Sequence, residues 1–347
     1  MAGNVVLLTG GTGYLGFAIL LDLLRNGYRV RAAARSQTKI SIVQSAPSIT
    51  ALNLPKTQLE FVLVPDMTIP GAYDEAVQGV DFIVHAAAPI DEVGKTGSTL
   101  PKEQLEQMFV TTSVNGNLGI LKSAMEKGKT VKRIVMTSST VAIAPAEIYI
   151  TDTKERENVR GPDSRVAVPP PPYDSELQAY CVGKAAALNA AEAFIRDNAT
   201  SFDLISIMPS WIFGKDELMT NPNSIRTGST HTLINALLTG TQGPPAVGNV
   251  VLCANVAHAH VRALDSHIKG GQSFLMSVEA RWEDTIPIVK KHFPECFKSG
   301  LFKESRPQQT LPLKWDSDKV CTHGNLHMSL FLSRSHAKFI DTRRTWS

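Results

Sequence analysis

The chain has 347 residues, 43% hydrophobic and 19% charged, with a formal net charge of +3. That composition excludes wholesale disorder and supports a sizeable core, in one large α/β domain or a domain with a smaller lobe. The mild charge comes without a clustered Lys/Arg stripe, which argues against nucleic acid as a partner, and no apolar run approaches the ~18 residues of a membrane span.

The first 35 residues carry the clearest pattern. Val5–Leu8 is an apolar strand. Thr9-Gly10-Gly11-Thr12-Gly13-Tyr14-Leu15-Gly16 follows at once, then an apolar helix over Phe17–Leu24, closed by Asn26-Gly27, and a second strand over Tyr28–Ala34. Gly10 permits the tight turn, Gly13 lets backbone N–H groups approach a pyrophosphate, and Gly16 lets the helix pack close to the sheet. The helix N-terminus adds partial positive charge for the phosphates. The turn from Thr9 through Gly10, Gly13, Tyr14 and Leu15 to Gly16 is therefore a dinucleotide site, although its spacing is Gly-x-x-Gly-x-x-Gly.

Arg35 stands 19 positions after Gly16, and no Asp or Glu occurs between Asp22 and Glu60. An acid there would bind the ribose hydroxyl of NAD; a guanidinium suits a 2′-phosphate. Lys39 adds a second charge. NADP(H) is the expected cofactor.

The alternation continues with a strand at Leu59–Val64, then Pro65-Asp66-Met67, a short helix at Tyr73–Val77, and a strand at Asp81–Ala86. Small residues Ala86 and Ala87 after this strand suit a cofactor lying against the backbone. Asp66 either accepts from the adenine amino group or simply forms a turn. Glu103–Lys127 has a helical stripe of Val114, Leu118, Leu121 and Met125. Arg133–Thr137 is a strand with Ser138-Ser139 at its carboxyl end, where ligands bind in open α/β sheets. Asp152–Tyr173 reads as a long surface loop or lid, Ala179–Ile195 as a helix, and Asp203–Met208 as a strand running into Pro209-Ser210-Trp211. Beyond it, Thr220–Thr230 is a polar loop, Thr232–Leu238 a helix, Gly240–Gly248 a turn, and Val256–His267 a helix with Asn255 as N-cap. The expected fold is α/β: a Rossmann-type doubly wound parallel sheet over 1–209, including the loop 152–173. A smaller C-terminal substrate lobe over 210–320 partly returns to the core around 250–267, and an atypical tail follows over 321–347.

Tyr180 and Lys184 lie four apart and share one helix face. A nearby ammonium favours the phenolate and draws a phenol's pKa from near 10 toward neutrality, so Tyr180 can pass a proton to a carbonyl oxygen. Ser139 can donate to the same oxygen, and Lys184 to a ribose hydroxyl. The order of nucleotide turn, strand-end serine and Tyr-x-x-x-Lys is the order a reductase needs. His258 and His260 are two apart and do not face one metal, so no metal is expected. His85 reads as a core histidine and Cys181 as facing away from Tyr180. The four cysteines, Cys181, Cys253, Cys296 and Cys321, have no metal or disulfide spacing. They read as reduced thiols of a cytoplasmic protein, and a first strand beginning at Asn4 leaves no room for a leader.

These residues resemble the extended short-chain dehydrogenase/reductases, and among them the dihydroflavonol-reductase-like ketoreductases, with a fungal flavour. The matching pieces are Thr9–Gly16, Tyr28–Arg35, Pro65–Met67, Val84–Pro89, Ile134–Ser139, Tyr180–Lys184, Met208–Gly214 and Val256–Leu264, over about residues 4–320. The resemblance implies that Asp66 and Met67 meet adenine and that Ser139, Tyr180 and Lys184 form the catalytic triad. It also implies that Pro209 and Ser210 touch the nicotinamide carboxamide. Gly183 stands where the family usually has Ser, Leu252–Val256 lacks the usual acids, and the tail lacks the usual amphipathic helix. The expected activity is NADPH-dependent reduction of a small or medium-sized ketone or aldehyde, of polyketide type by analogy, by a monomer or homodimer. The alternatives are a sugar epimerase or dehydratase of the same fold, and a non-catalytic dinucleotide sensor.

Overall fold

The apolar N-terminal run forms β1 (Val5–Thr9), with Val6, Leu7 and Leu8 fully buried. Both faces of this strand are covered, which is why it reads as a continuous run rather than an alternating one. The computed structural model describes residues 3–88, 100–151, 153–219, 221, 232–241, 243–304 and 308–317. The tail 321–347, the segment Pro89–Val93 and most of Thr220–Thr230 lie outside these residues.

Gly10 turns the chain with φ +75°, and α1 (Tyr14–Arg25) begins inside the glycine motif, three residues before the expected Phe17. β2 (Arg29–Ala34) leads to α2 (Gln37–Gln44), whose N-cap Ser36 accepts the Lys39 N–H at 3.4 Å. α3 (Pro47–Ala51) and β3 (Leu59–Leu63) follow. The helix expected at Tyr73–Val77 is only a turn, with a Val77 N–H to Tyr73 carbonyl bond of 3.0 Å. A five-residue segment gives too few bonds for the dihedrals it would fix. Its apolar side chains still pack on the sheet.

After β4 (Phe82–His85) the expected 103–127 helix appears as a continuous run with a defect. α4 (Lys102–Leu105) passes into a π turn over Glu106–Thr111 and then into α5 (Thr112–Lys127). β5 (Arg133–Thr137) ends at Ser138-Ser139. The segment 153–173 is largely irregular, as expected, but it is fastened. Arg160 bridges to Trp315, and Arg165 pairs with Glu192. It also follows a short helix, α6 (Glu147–Ile150). α7 (Glu176–Asp197) opens at Ser175, whose hydroxyl accepts the Gln178 N–H at 3.2 Å.

β6 (Asp203–Pro209) runs into β7 (Trp211–Phe213). α8 (Thr232–Thr239), β8 (Ala246–Val247) and β9 (Asn249–Leu252) come next. α9 (Cys253–Arg262) starts three residues before the expected Val256, so Asn255 lies inside it and extended Leu252 is the N-cap, with no side-chain cap. The strand passes straight into the helix, leaving no loop in which a polar cap could sit. β10 (Ser273–Met276) is too short to show a periodic signal in the sequence. β11 (Val278–Glu279), α10 (Thr285–His292), α11 (Pro294–Lys298) and β12 (Thr310–Leu311) complete the described chain.

The main sheet is parallel with order β10-β6-β5-β4-β1-β2-β3. This is the doubly wound Rossmann architecture. One apolar core lies under α1 and α9, and a second on the other face under α5. Two small sheets, β11-β9-β7 and β12-β8, lie within 211–311. The strand order reverses between β1 and β4, and that crevice at their carboxyl ends is where such sheets bind ligands. Arg133 fastens the opposite end: it donates to both Asp203 carboxylate oxygens at 2.6 and 2.9 Å and to the Ala263 and Asp265 carbonyls. Among the described residues no helix is long and apolar enough to cross a membrane.

Candidate active site

Backbone presses on backbone at the crevice. A Cβ on Gly10 would lie 2.7 Å from the Ala86 carbonyl carbon and Ala87 nitrogen, and one on Gly16 would lie 1.9 Å from the Gly10 oxygen. Thr9 locks this approach. Its hydroxyl accepts the Ala87 N–H at 3.2 Å and shares a 2.8 Å bond with His85 Nδ1. Burial pushes His85 down to about 4, so it is neutral, as a core histidine should be.

Gly13 serves otherwise. A Cβ there would meet only the Gly10 oxygen, at 3.4 Å. Gly13 is the N-cap of α1, with no side-chain cap and no acid in the first turn. The N–H groups of Tyr14, Leu15 and Gly16 thus form the positive end of a helix suited to an anion. Leu15 packs into the core. The Tyr14 hydroxyl lies with Cys253 beside Gly214, and burial raises its pKa.

Arg35 lies exposed at the end of β2, next to the cap of α2, and exposed Lys39 is in the first turn of α2. That turn has no acid. Two cations beside the positive end of a helix suit a phosphate. Asp66 closes a turn with its Oδ1, which accepts from the Thr68 N–H at 2.8 Å and the Thr68 hydroxyl at 2.6 Å. Met67 is half-buried against the second core.

Ser139 sits where β5 ends. Its hydroxyl accepts the Val141 N–H at 3.3 Å and faces the Pro209 carbonyl at 3.5 Å. Ser210 is held to Met276, its N–H donating to that carbonyl at 3.0 Å. Tyr180 lies on α7 beside Ser139, near enough for the serine hydroxyl to act on its titration. Lys184 Nζ lies 6.0 Å from the Tyr180 ring centroid.

The titration of this group departs from expectation. Burial pushes the Tyr180 phenol up to about 12, and the neighbouring Ser139 offsets only part of that. Burial lowers Lys184 to about 8. Desolvation penalises both charged forms, and the ammonium does not draw Tyr180 toward neutrality. Cys181 is pushed up to about 12, mainly by burial, and is inert as a nucleophile. His258 pairs with Asp22, whereas His260 is buried between Thr137 at 2.7 Å and the Val256 carbonyl at 2.8 Å, so the two imidazoles serve different contacts.

Lys184 shares a small pocket with Ala87, Ala88, Ser113, Asn117 and Ser138. Ser113 and Asn117 escaped the sequence reading because they lie on a helix whose visible signal was its apolar stripe. The buried Ser113 hydroxyl has no hydrogen-bond partner.

Gly183 has a packing reason. A Cβ there would lie 2.3 Å from the Phe109 oxygen and 2.8 Å from its carbonyl carbon, both in the π turn. The π turn is seated directly on α7 between Tyr180 and Lys184. A serine, usual at this position in the resembled family, would not fit without moving one helix.

A family model described as the NAD dependent epimerase/dehydratase family matches residues 6–270. Ketoreductase CTB6 of Cercospora beticola is 36% identical over 310 residues, covering 87% of this chain and 84% of that protein. NAD-dependent epimerase/dehydratase ALT6 of Alternaria alternata is 36% identical over 306 residues, covering 84% and 83%. Among solved structures, yeast methylglyoxal/isovaleraldehyde reductase Gre2 complexed with NADPH superposes with a TM-score of 0.73 at 23% identity, covering 92% of each chain. Alfalfa vestitone reductase superposes with a TM-score of 0.62 at 24% identity, also covering 92% of each. The chain belongs to the NAD dependent epimerase/dehydratase family, within the extended short-chain dehydrogenase/reductases, and is an NAD(P)-dependent oxidoreductase.

Gly183→Ala should destabilise the protein by about 1–3 kcal/mol, the usual cost of forcing atoms into a filled core. Urea unfolding measures it. A variant with parental stability would mean that the π turn and α7 have room to spare.

Proposed function

We propose that this chain reduces the carbonyl group of a small or medium-sized ketone or aldehyde with NADPH. The observation that carries the reading is that Ser139, at the end of β5, stands with Tyr180 and Lys184 of α7 at the sheet end that the glycine turn opens, with Lys184 Nζ 6.0 Å from the Tyr180 ring. The relatives named ketoreductase and the neighbour crystallised with NADPH support it. Polyketide-type intermediates are the substrates this reading favours, because the named relatives are fungal.

NADPH would supply the hydride. The uncapped α1 terminus would hold its pyrophosphate, with Thr9, Gly10 and Gly13 shaping the turn. Arg35 and Lys39 would hold the 2′-phosphate, Asp66 and Met67 would flank adenine, and Ala86 and Ala87 would form the floor. Pro209 and Ser210 would meet the carboxamide. Arg35 also weighs against the epimerase alternative, since it favours NADP(H) over NAD.

Tyr180 is the proton donor. A pKa near 12 keeps the phenol protonated at neutral pH, which is the form that reduction requires. As the carbonyl oxygen gains electrons it takes the Tyr180 proton, while Ser139 donates a hydrogen bond to it. Lys184 would bind the nicotinamide ribose. The residues 210–320 would form the substrate side, over the nucleotide-binding residues 1–209.

Consumption of NADPH with a panel of aryl ketones and aldehydes tests the activity. Tyr180→Phe should keep NADPH binding and lose at least ~10²-fold in turnover, the low end for a lost general acid. Near-parental turnover would remove Tyr180 from the chemistry.

Arg35→Ala should erode the preference for NADP(H) over NAD(H) by about 1.5–3 kcal/mol, the value of a hydrogen bond to a charged group. Paired titrations decide it, and an unchanged preference would place the 2′-phosphate elsewhere.

The pH dependence follows from Lys184. Its folded pKa is depressed, so its ammonium is present below about 8 and lost above it. kcat/KM for reduction, which reports the free enzyme, should be level at lower pH and fall as pH rises through about 8. A profile that rises there would require the neutral amine.

A further inference from the structure

Glu217 and Ser48 are 169 positions apart and meet twice. Glu217 Oε1 accepts the Ser48 N–H at 2.7 Å, and Oε2 accepts the Ser48 hydroxyl at 2.5 Å. The Glu217 side chain is 11% exposed, and the cation facing it is Lys215, whose Nζ lies 3.8 Å away. Ser48 is in α3, immediately beyond the α2 helix that begins beside Arg35. Glu217 is on the short segment leaving β7. That segment starts at Gly214, where a Cβ would lie 3.2 Å from the Tyr14 hydroxyl. It ends at Leu218, which packs into the same core as Leu15 and Leu52.

Residues 214–218 therefore run as a strap from Tyr14, on the phosphate turn, to α3, behind the Arg35 and Lys39 helix. Removing a carboxylate from water costs free energy, so its value here lies in position more than in stability. Two charge-assisted bonds to one residue fix both its distance and its direction.

We infer that the Ser48–Glu217 pair is a clasp that braces the two walls of the adenosine-phosphate half of the site and so sets how long NADP(H) is held. This rests on the dinucleotide reading proposed above. Neither residue belongs to the cofactor or catalytic set, so both are positioning residues. Opening the clasp would free the β7 exit and the α2–α3 crossover to part, which speeds release without altering the reacting atoms.

The test is stopped-flow displacement of bound NADPH by excess NADP⁺ in the full-length parent, Glu217→Gln, Ser48→Ala and Ser48→Thr. Glu217→Gln and Ser48→Ala should release NADPH at least ~5-fold faster, the lower range of couplings between sites. Ser48→Thr, which keeps the hydroxyl, should stay near the parent. Single-turnover hydride transfer at saturating NADPH should be unchanged. Variants that melt earlier yet release NADPH at the parental rate would overturn the clasp and leave the reductase reading intact. A parent that binds no NADP(H) would overturn both.

Discussion

Everything at this site depends on backbone segments approaching more closely than a side chain allows. Gly10 lies against Ala86-Ala87, Gly16 against Gly10, and Gly183 against Phe109. The first two contacts bring the start of α1 to the crevice between β1 and β4, so that uncapped N–H groups stand at a strand end. The third seats the π turn on α7 and thereby fixes the helix carrying Tyr180 and Lys184. Thr9 adds the hydrogen bonds that keep the first approach in register. The chemistry is built on these contacts, which no substitution at those glycines can reproduce.

The electrostatics follow from the same closeness. Packing α7 tightly desolvates Tyr180 and Lys184 together, raising one pKa and lowering the other. The phenol is thus protonated at neutral pH, the form that the proposed reduction needs. At the far side of the cleft, Arg35 and Lys39 stand by the N-terminus of α2, a positive corner suited to an anion.

Much of this was legible in the sequence because it rests on backbone sterics and on order along the chain. The glycine spacing, the small residues at 86–87 and the Tyr-x-x-x-Lys helix each follow from a rule about what a position must accommodate. Other features left no local mark. The π turn inserts its extra residue inside a stripe that still reads as helical, so nothing local marks Gly183 as the packing requirement it is. β10 is four residues long and joins the sheet only through tertiary contact. The Tyr180 shift was misjudged because spacing shows which groups are neighbours, whereas burial decides which charged forms are penalised. Ser113 and Asn117 face Lys184 from a helix whose polar positions were indistinguishable from a solvated face.

The central claim is that the glycine-built crevice holds NADP(H) between Arg35 at one end and Tyr180 with Lys184 at the other. A crystal structure of the chain with NADP⁺ tests it most directly. The account predicts the pyrophosphate at the N-terminus of α1, the 2′-phosphate against Arg35, and the nicotinamide ribose within hydrogen-bond reach of Lys184. A dinucleotide bound with its 2′-phosphate away from Arg35, or with its nicotinamide outside the Ser139–Tyr180 corner, would contradict it.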